Sequence, residues 1–346
     1  MELTRRQEQI LKTVVDQYVA TAHPVGSAAI VSSAALPISS ATVRNELAAL
    51  EELGLLRHLH TSGGRVPTNA GYRYYVERLM ARAHLPNAEA RTIRHQFHQA
   101  HSEVQEWLKL AATVMAHRMH NVGLVTSPRS SEVRFRHLEV ISIHDNVALL
   151  ILVLQEGTVL QEMITLPETY SNEELSAVAD QLNGLLRGKT ADEAQEALRD
   201  LPGLASVVGS MSEHLLRRGQ GQQSQVFHAG LGDLMRQPEF SGLRPGEPSE
   251  MLSERLREML EFLQHGFAVQ QLIAGLPRET DVNVVIGGEP PSDMLPGYSF
   301  VLGRYGDEAE GTGYLGVVGP TRMEYPRAVA LVRYMTDLMT DLMNAY

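Results

Sequence analysis

Apolar residues recur at helical spacing from the start of the chain. Ile10, Leu11, Val14, Val15 and Tyr18 fall on one stripe of a helix predicted over Leu3–Ala20. Thr4 is placed to cap it, with Glu8 one position beyond capping-box spacing. His23-Pro24 ends that helix, because a proline disfavours helical geometry in the residue before it. Gly26-Ser27 opens a short helix to about Ala34, and Pro37-Ile38-Ser39-Ser40 makes a turn. A third helix runs from about Ser40 to Leu53 and stops at Gly54. Two helices joined by a tight turn suit a helix-turn-helix. Leu55–His60 then alternates as a strand, Thr61–Gly64 forms a hairpin tip, and Arg65–Thr68 returns, adding a wing. Thr68 caps a further helix from Asn69 to about Ala83, with Tyr72, Tyr75, Val76 and Leu79 facing inward.

Pro86 marks a boundary. Glu89 to about His120 is predicted as helix, with Phe97, Val104, Leu108, Ala111 and Met115 at helical spacing. After Pro128 the period changes. Val133–Ile143, Val147–Leu154 and Val159–Leu166 read as consecutive antiparallel strands, ended by Pro167. Helices return from Ser171 to about Arg218, and a flexible Gly219–Gln223 connection leads to a mixed portion reaching Phe240. Leu252–Gly266 is a helix, Val282–Gly287, Tyr298–Arg304 and Gly313–Val318 are strands, and a final helix follows Pro320. Strands before 166 and after 281, with helices between, predict an α+β fold interrupted by an inserted module. The expected division is residues 1–84, then 85–166 with 246–346, then the insert at 167–245.

The formal net charge of -11 argues against nucleic-acid binding only until it is divided along the chain. Residues 1–80 hold eight Lys/Arg against seven Asp/Glu, so most of the acid lies elsewhere. A local positive face is what phosphate binding requires. There is no cysteine, which excludes disulfides, zinc-thiolate sites and thiol catalysis. No apolar run reaches membrane-spanning length and no export signal opens the chain, so a cytoplasmic location is expected.

In the third helix, Val43, Leu47 and Leu50 form the inward stripe, while Ala41, Arg44, Asn45, Ala48 and Glu52 lie opposite. Arg44 can fork onto guanine, Asn45 onto adenine, and Ala41 or Ala48 can meet a thymine methyl. Ser39, Ser40 and Thr42 stand at the helix start, where hydroxyls and free N–H groups can hold a phosphate. The competing reading is an ordinary solvated surface. Against it, the positions three and four residues from Arg44 are Ser40, Ala41, Leu47 and Ala48, none of them acidic. Arg57, His60 and Arg65 sit on the wing and Arg73 on the helix after it. A solvated hairpin explains these four equally well, although Gly63-Gly64 would let Arg65 approach a backbone or minor groove closely.

The run Ser39–Leu47, then Leu50-Glu51-Glu52-Leu53-Gly54-Leu55-Leu56, resembles the heat-inducible transcription repressor family HrcA. So do His60–Thr68, Gly71–Val76, Gln237–Phe240 and Gly319–Tyr325, so that the resemblance covers nearly the whole chain. The family usually carries Ala where this chain has Gly64, a difference expected to loosen the wing tip without removing its charge. The resemblance implies a winged-helix domain, a GAF-like domain and an inserted dimerisation domain. It implies a homodimer that represses chaperone operons at the CIRCE inverted-repeat operator, an activity promoted by the GroEL chaperonin and lost on heat stress. Two half-sites read by a two-fold dimer fit that expectation, because one winged helix makes few base contacts. Dimerisation falls to the insert on the same ground, through helices containing Leu182, Leu185, Leu186, Leu215 and Leu216, which could equally be internal core.

Two other function classes compete. A ligand sensor would draw a pocket from the strands near Val140, Leu150, Val284 and Val317, residues more simply read as core. A metal site could be drawn from His95, His98 and His101, with His117, His120, His58 and His60, but steps of three drift around a helix and carboxylates are few nearby. Gly319-Pro320-Thr321 and Gly287–Pro291 lack the spacing and lysine of a nucleotide loop. No nucleophile, base and orienter set emerges, so neither enzymatic activity nor a cofactor is expected.

Overall fold

The computed structural model describes residues 3–33, 39–58, 64–100, 103–128, 133–155, 157–220, 225–238, 240, 249–264, 266–277, 280–290, 295, 297–307 and 311–345. The chain divides into two compact units. One comprises Met1–Pro128, Ser224–Gly306 and Gly313–Tyr346; the other comprises Arg129–Gln223 with Asp307–Thr312.

The first unit begins with α1 (Arg5–Thr21), which buries all five residues of the expected stripe. Its capping box is closed by Gln7 rather than Glu8: Gln7 N–H donates to Thr4 Oγ1, and Thr4 N–H donates to Gln7 Oε1. Next come α2 (Ser27–Ser33) and α3 (Ser40–Glu52), the latter burying Val43, Leu47 and Leu50. The wing is the antiparallel pair β1 (Leu56–His58) and β2 (Arg65–Pro67). Thr68 caps α4 (Asn69–Tyr74), which passes into a π-helical turn over Tyr75–Leu79 and ends at Met80, short of the expected Ala83.

The long helix expected over Glu89–His120 is two helices, α5 (Asn87–Gln99) and α6 (Val104–Met119), with Ala100 extended between them. A straight helix of that length would run about 48 Å. Breaking it lets Ile93 and Phe97 bury in the same core as Trp107, Leu108, Ala111 and Met115. A strand that the sequence pattern hides follows at β3 (Val122–Thr126), where every residue is buried. With both faces covered there is no alternation to detect.

The second unit places β4 (Phe135–His144), β5 (Val147–Leu154) and β6 (Val159–Thr165) in an antiparallel meander. It continues with α7 (Asn172–Leu186), α8 (Ala191–Leu198) and α9 (Gly203–Gln220). The expected boundary at 166 is therefore misplaced, since this meander goes with the insert and not with the GAF-like part. The cause is the cover each sheet requires. Leu138, Val140, Leu150, Leu152, Leu160 and Ile164 bury against Leu175, Leu182, Leu186, Leu215 and Leu216 in one core. Those helical leucines are interior. Among the described residues, the large apolar side chains more than 40% exposed here are Ile141, Ile143, Val159 and Met163 on the strands and Met211 on α9.

The first unit resumes with β7 (Val226–Ala229), α10 (Leu231–Met235), α11 (Ser249–Gln264) and α12 (Gly266–Ala274). It closes with β8 (Val282–Ile286), β9 (Tyr298–Asp307), β10 (Gly311–Pro320) and α13 (Tyr325–Asn344). Its sheet has the order β7-β3-β10-β9-β8. Successive β9 residues face opposite layers. Val301 enters the core shared with α6 and α13, while Phe300 and Leu302 pack with Met259, Phe262, Leu263 and Leu272. Helices cover both faces, an α+β arrangement consistent with the GAF-like expectation. Val140 and Leu150 lie in a different core from Val317, so the four strand positions considered for a ligand do not line one cavity.

Candidate nucleic-acid interface

Helix α3 has one face it cannot release and one it does not use internally. Val43, Leu47 and Leu50 are at most 1% exposed, fixing the helix against its neighbours. Opposite them Ala41, Arg44 and Asn45 are exposed and Ala48 is half-buried. Ser39 caps the helix: its Oγ accepts from Thr42 N–H at 3.2 Å and lies 3.0 Å from Thr42 Oγ1. Ser40 Oγ lies 3.0 Å from Ser27 Oγ, which also accepts a long 3.4 Å contact from Arg44 Nε. Ser27, not foreseen from the sequence, thus links α2 to the exposed face of α3. The nearby carboxylate of Glu46 is taken by Arg6 at 3.3 Å, and among the described residues none pairs with Arg44.

On the wing, Arg57 is exposed opposite Val66, and His58 stands opposite Arg65. His60 and the hairpin tip at 61–63 lie outside the described residues. Strand β2 is held from its other side by Val25, whose N–H and C=O exchange 2.9 Å bonds with Arg65. Gly64 serves that contact, since a Cβ there would lie 2.5 Å from the Val25 carbonyl carbon. Within the domain, the missing side chain makes room for the Val25 backbone, which bridges to Arg65.

Arg65 is not a bare cation. Its Nε and Nη2 donate to Glu51 Oε2 at 3.1 and 2.9 Å, and its side chain is only 15% exposed. Glu51 escaped the sequence reading because it lies on α3, 14 residues from its partner, where no local spacing rule reaches. Burial alone would raise the Glu51 carboxyl. The His58 and Arg65 hydrogen bonds and charges outweigh it and hold the group below the usual carboxylate range. A depressed carboxyl stabilises the fold above its ordinary range, and that contribution is lost as pH falls through the lowered value.

Arg73 is placed away from the other candidates. Its Nε donates to Glu289 Oε1 at 3.0 Å, and its Nη2 donates to Val284 O at 2.9 Å and to Glu289 Oε2. Beside it, Asn69 Nδ2 donates to Gly287 O. This guanidinium ties α4 to the β8 end of the sheet, leaving little of it for phosphate. Arg73→Ala is expected to lower the thermal midpoint of the full chain while leaving the salt slope of DNA binding unchanged. A slope reduced by about one would return Arg73 to the phosphate contacts.

Among the described residues no group of three or more His, Asp or Glu is arranged to hold a metal, and no helix is long and apolar enough to cross a membrane.

A buried three-helix core, an exposed basic and amide-bearing helix face, and a hairpin wing define a winged helix-turn-helix DNA-binding protein. A family model described as "Winged helix-turn-helix transcription repressor, HrcA DNA-binding" matches residues 2–78, and one described as "HrcA protein C terminal domain" matches residues 105–329. The heat-inducible transcription repressor HrcA of Roseiflexus castenholzii is 43% identical over 358 residues, covering 99% of this chain and 95% of that protein. Its namesake from Chloroflexus aurantiacus is 42% identical over 349 residues, covering 99% and 94%. The crystal structure of a hypothetical protein at 2.2 Å resolution superposes with a TM-score of 0.62 at 22% identity, over 99% of both chains, and supports the fold alone. The chain belongs to the HrcA family of transcription repressors, a non-enzymatic role.

Proposed function

We propose that this protein represses heat-shock chaperone operons by binding the CIRCE inverted repeat as a homodimer in the cytoplasm. In this reading Arg44 and Asn45 read base edges, with Ala41 and Ala48 against thymine methyls. Ser39, Ser40 and Thr42 approach phosphate, and Arg57, His60 and Arg65 engage the backbone or minor groove from the wing. The GroEL chaperonin favours the active form, and heat stress removes it. A partner that binds only the folded repressor shifts its population in that direction.

The observation that carries the reading is the outer face of α3. Arg44 and Asn45 are exposed there on a helix whose other side is locked in the core, and no described carboxylate occupies Arg44. Support for the dimer comes from the outer face of the β4-β5-β6 sheet. There Ile141, Leu149 and Met163 lie in register across three strands, with Val153 beside Val159. Exposed apolar rows of this kind fit the buried centre of an interface between copies.

The test is a salt-resolved titration on a CIRCE duplex and a scrambled duplex, with wild type and the Arg44→Ala/Asn45→Ala variant. Loss of two base contacts of about 1–3 kcal/mol each is expected to erase operator preference, leaving weak salt-dependent binding. Equal affinity of the wild type for both duplexes would overturn the reading.

A further inference from the structure

We propose that Glu51 is a positioning residue for DNA recognition, joining the recognition helix to both strands of the wing so that they engage the operator as one body. This rests on the reading of α3 and the wing given above.

The carboxylate is saturated. Oε1 accepts from the His58 backbone N–H at 3.2 Å and lies 2.7 Å from His58 Nδ1. Oε2 accepts from Arg65 Nε at 3.1 Å and Arg65 Nη2 at 2.9 Å. His58 and Arg65 are cross-strand partners in β1 and β2. One side chain from the last turn of α3 therefore holds the wing across its width. The wing needs such a hold, because its strands are three residues each and a two-stranded hairpin is marginal by itself.

Two consequences follow for binding. Arg65 is gripped along its Nε/Nη2 edge, and among the described residues nothing takes Nη1, which remains for a phosphate or a groove edge. A guanidinium already fixed gives up less rotamer freedom when it meets DNA. Glu51 also brings a negative charge beside a polyanion, which opposes non-specific attraction. Geometry favours the operator and charge disfavours every duplex, so the two effects separate on specific and scrambled DNA.

The measurement is a double-mutant cycle of Glu51→Ala and Arg65→Ala in the full chain, titrated on CIRCE and scrambled duplexes, with thermal melts beside it. Glu51→Ala is expected to bind scrambled duplex at least as tightly as wild type while its operator preference falls about tenfold, and to have a clearly smaller effect in the Arg65→Ala background, where only the His58 hold remains to be lost. If Glu51→Ala does not fold, Glu51→Gln keeps the volume but offers only one acceptor oxygen, and the same loss of preference is expected. Unchanged preference in the folded variant, or an equal loss with and without Arg65, overturns the proposal while leaving base reading by α3 intact. A wild type without operator preference overturns both.

Discussion

Gly71→Ala is expected to disrupt the winged helix and abolish operator binding. A Cβ on Gly71 would lie 2.1 Å from Leu55 O and 3.1 Å from Leu55 C. These are main-chain atoms and cannot rotate aside. Helix α4 cannot simply retreat either, because Thr68 N–H donates to that same Leu55 O at 3.0 Å and Thr68 Oγ1 donates to Gly54 O at 2.6 Å. Moving the helix gives up those bonds and the contact that seats β1 behind α3. Overpacking at a buried site costs about 1–3 kcal/mol, and each lost hydrogen bond adds about 1 kcal/mol. Gly26→Ala is the matched control, since nothing lies within 4 Å of its added Cβ. Thermal melts and operator titrations of the two variants decide the matter. A Gly71→Ala protein that melts and binds like Gly26→Ala would show that α4 does not need this close approach.

The same residue shows what the sequence could and could not disclose. Gly71 stood in a recognisable run, but only the fold reveals the carbonyl it makes room for. The winged helix was legible because its determinants are local: a helical stripe from Ile10 to Tyr18, the Gly54 stop, the alternation into the wing and the Thr68 cap. The electrostatic partners were not. Arg65 and His58 find Glu51 across 14 and 7 residues, and Arg73 finds Glu289 across 216. Charge spacing along one helix carries no information about such pairs. Alternation marks residues 135–165 as strands, yet it does not say which body their sheet joins. Alternation tells a strand which face is apolar, not which helices will cover it. For β4–β6 the cover came from the helices immediately after them, and for β3 it came from both sides.

That choice of cover makes Asn183 the most consequential polar residue of the second unit. Strand β4 lies at the edge of its sheet, and helix α7 approaches it closely. Asn183 Oδ1 accepts from Leu138 N–H at 2.7 Å, and its Nδ2 donates to Leu138 O at 2.9 Å, with the side chain buried. The amide thus replaces the strand partner that an edge position lacks. Asn183→Ala strands a buried donor and a buried acceptor, at a cost of about 1–3 kcal/mol for each group left without a bond. A loss of about 2–6 kcal/mol is expected from the two groups together, confined first to this unit. The single tryptophan makes that confinement observable, because Trp107 is buried in the other unit. In urea, the far-UV signal of Asn183→Ala is expected to show an early transition that Trp107 fluorescence does not follow. Coincident, unshifted transitions by both probes would mean that water or a rearranged edge satisfies Leu138. If copies of this chain associate through the β4-β5-β6 sheet, unfolding of this unit in the wild type should move to higher urea as protein concentration rises, and the early transition of the variant should depend on concentration less. Stability of this unit and avidity for a two-half-site operator would then both rise with the same association between copies.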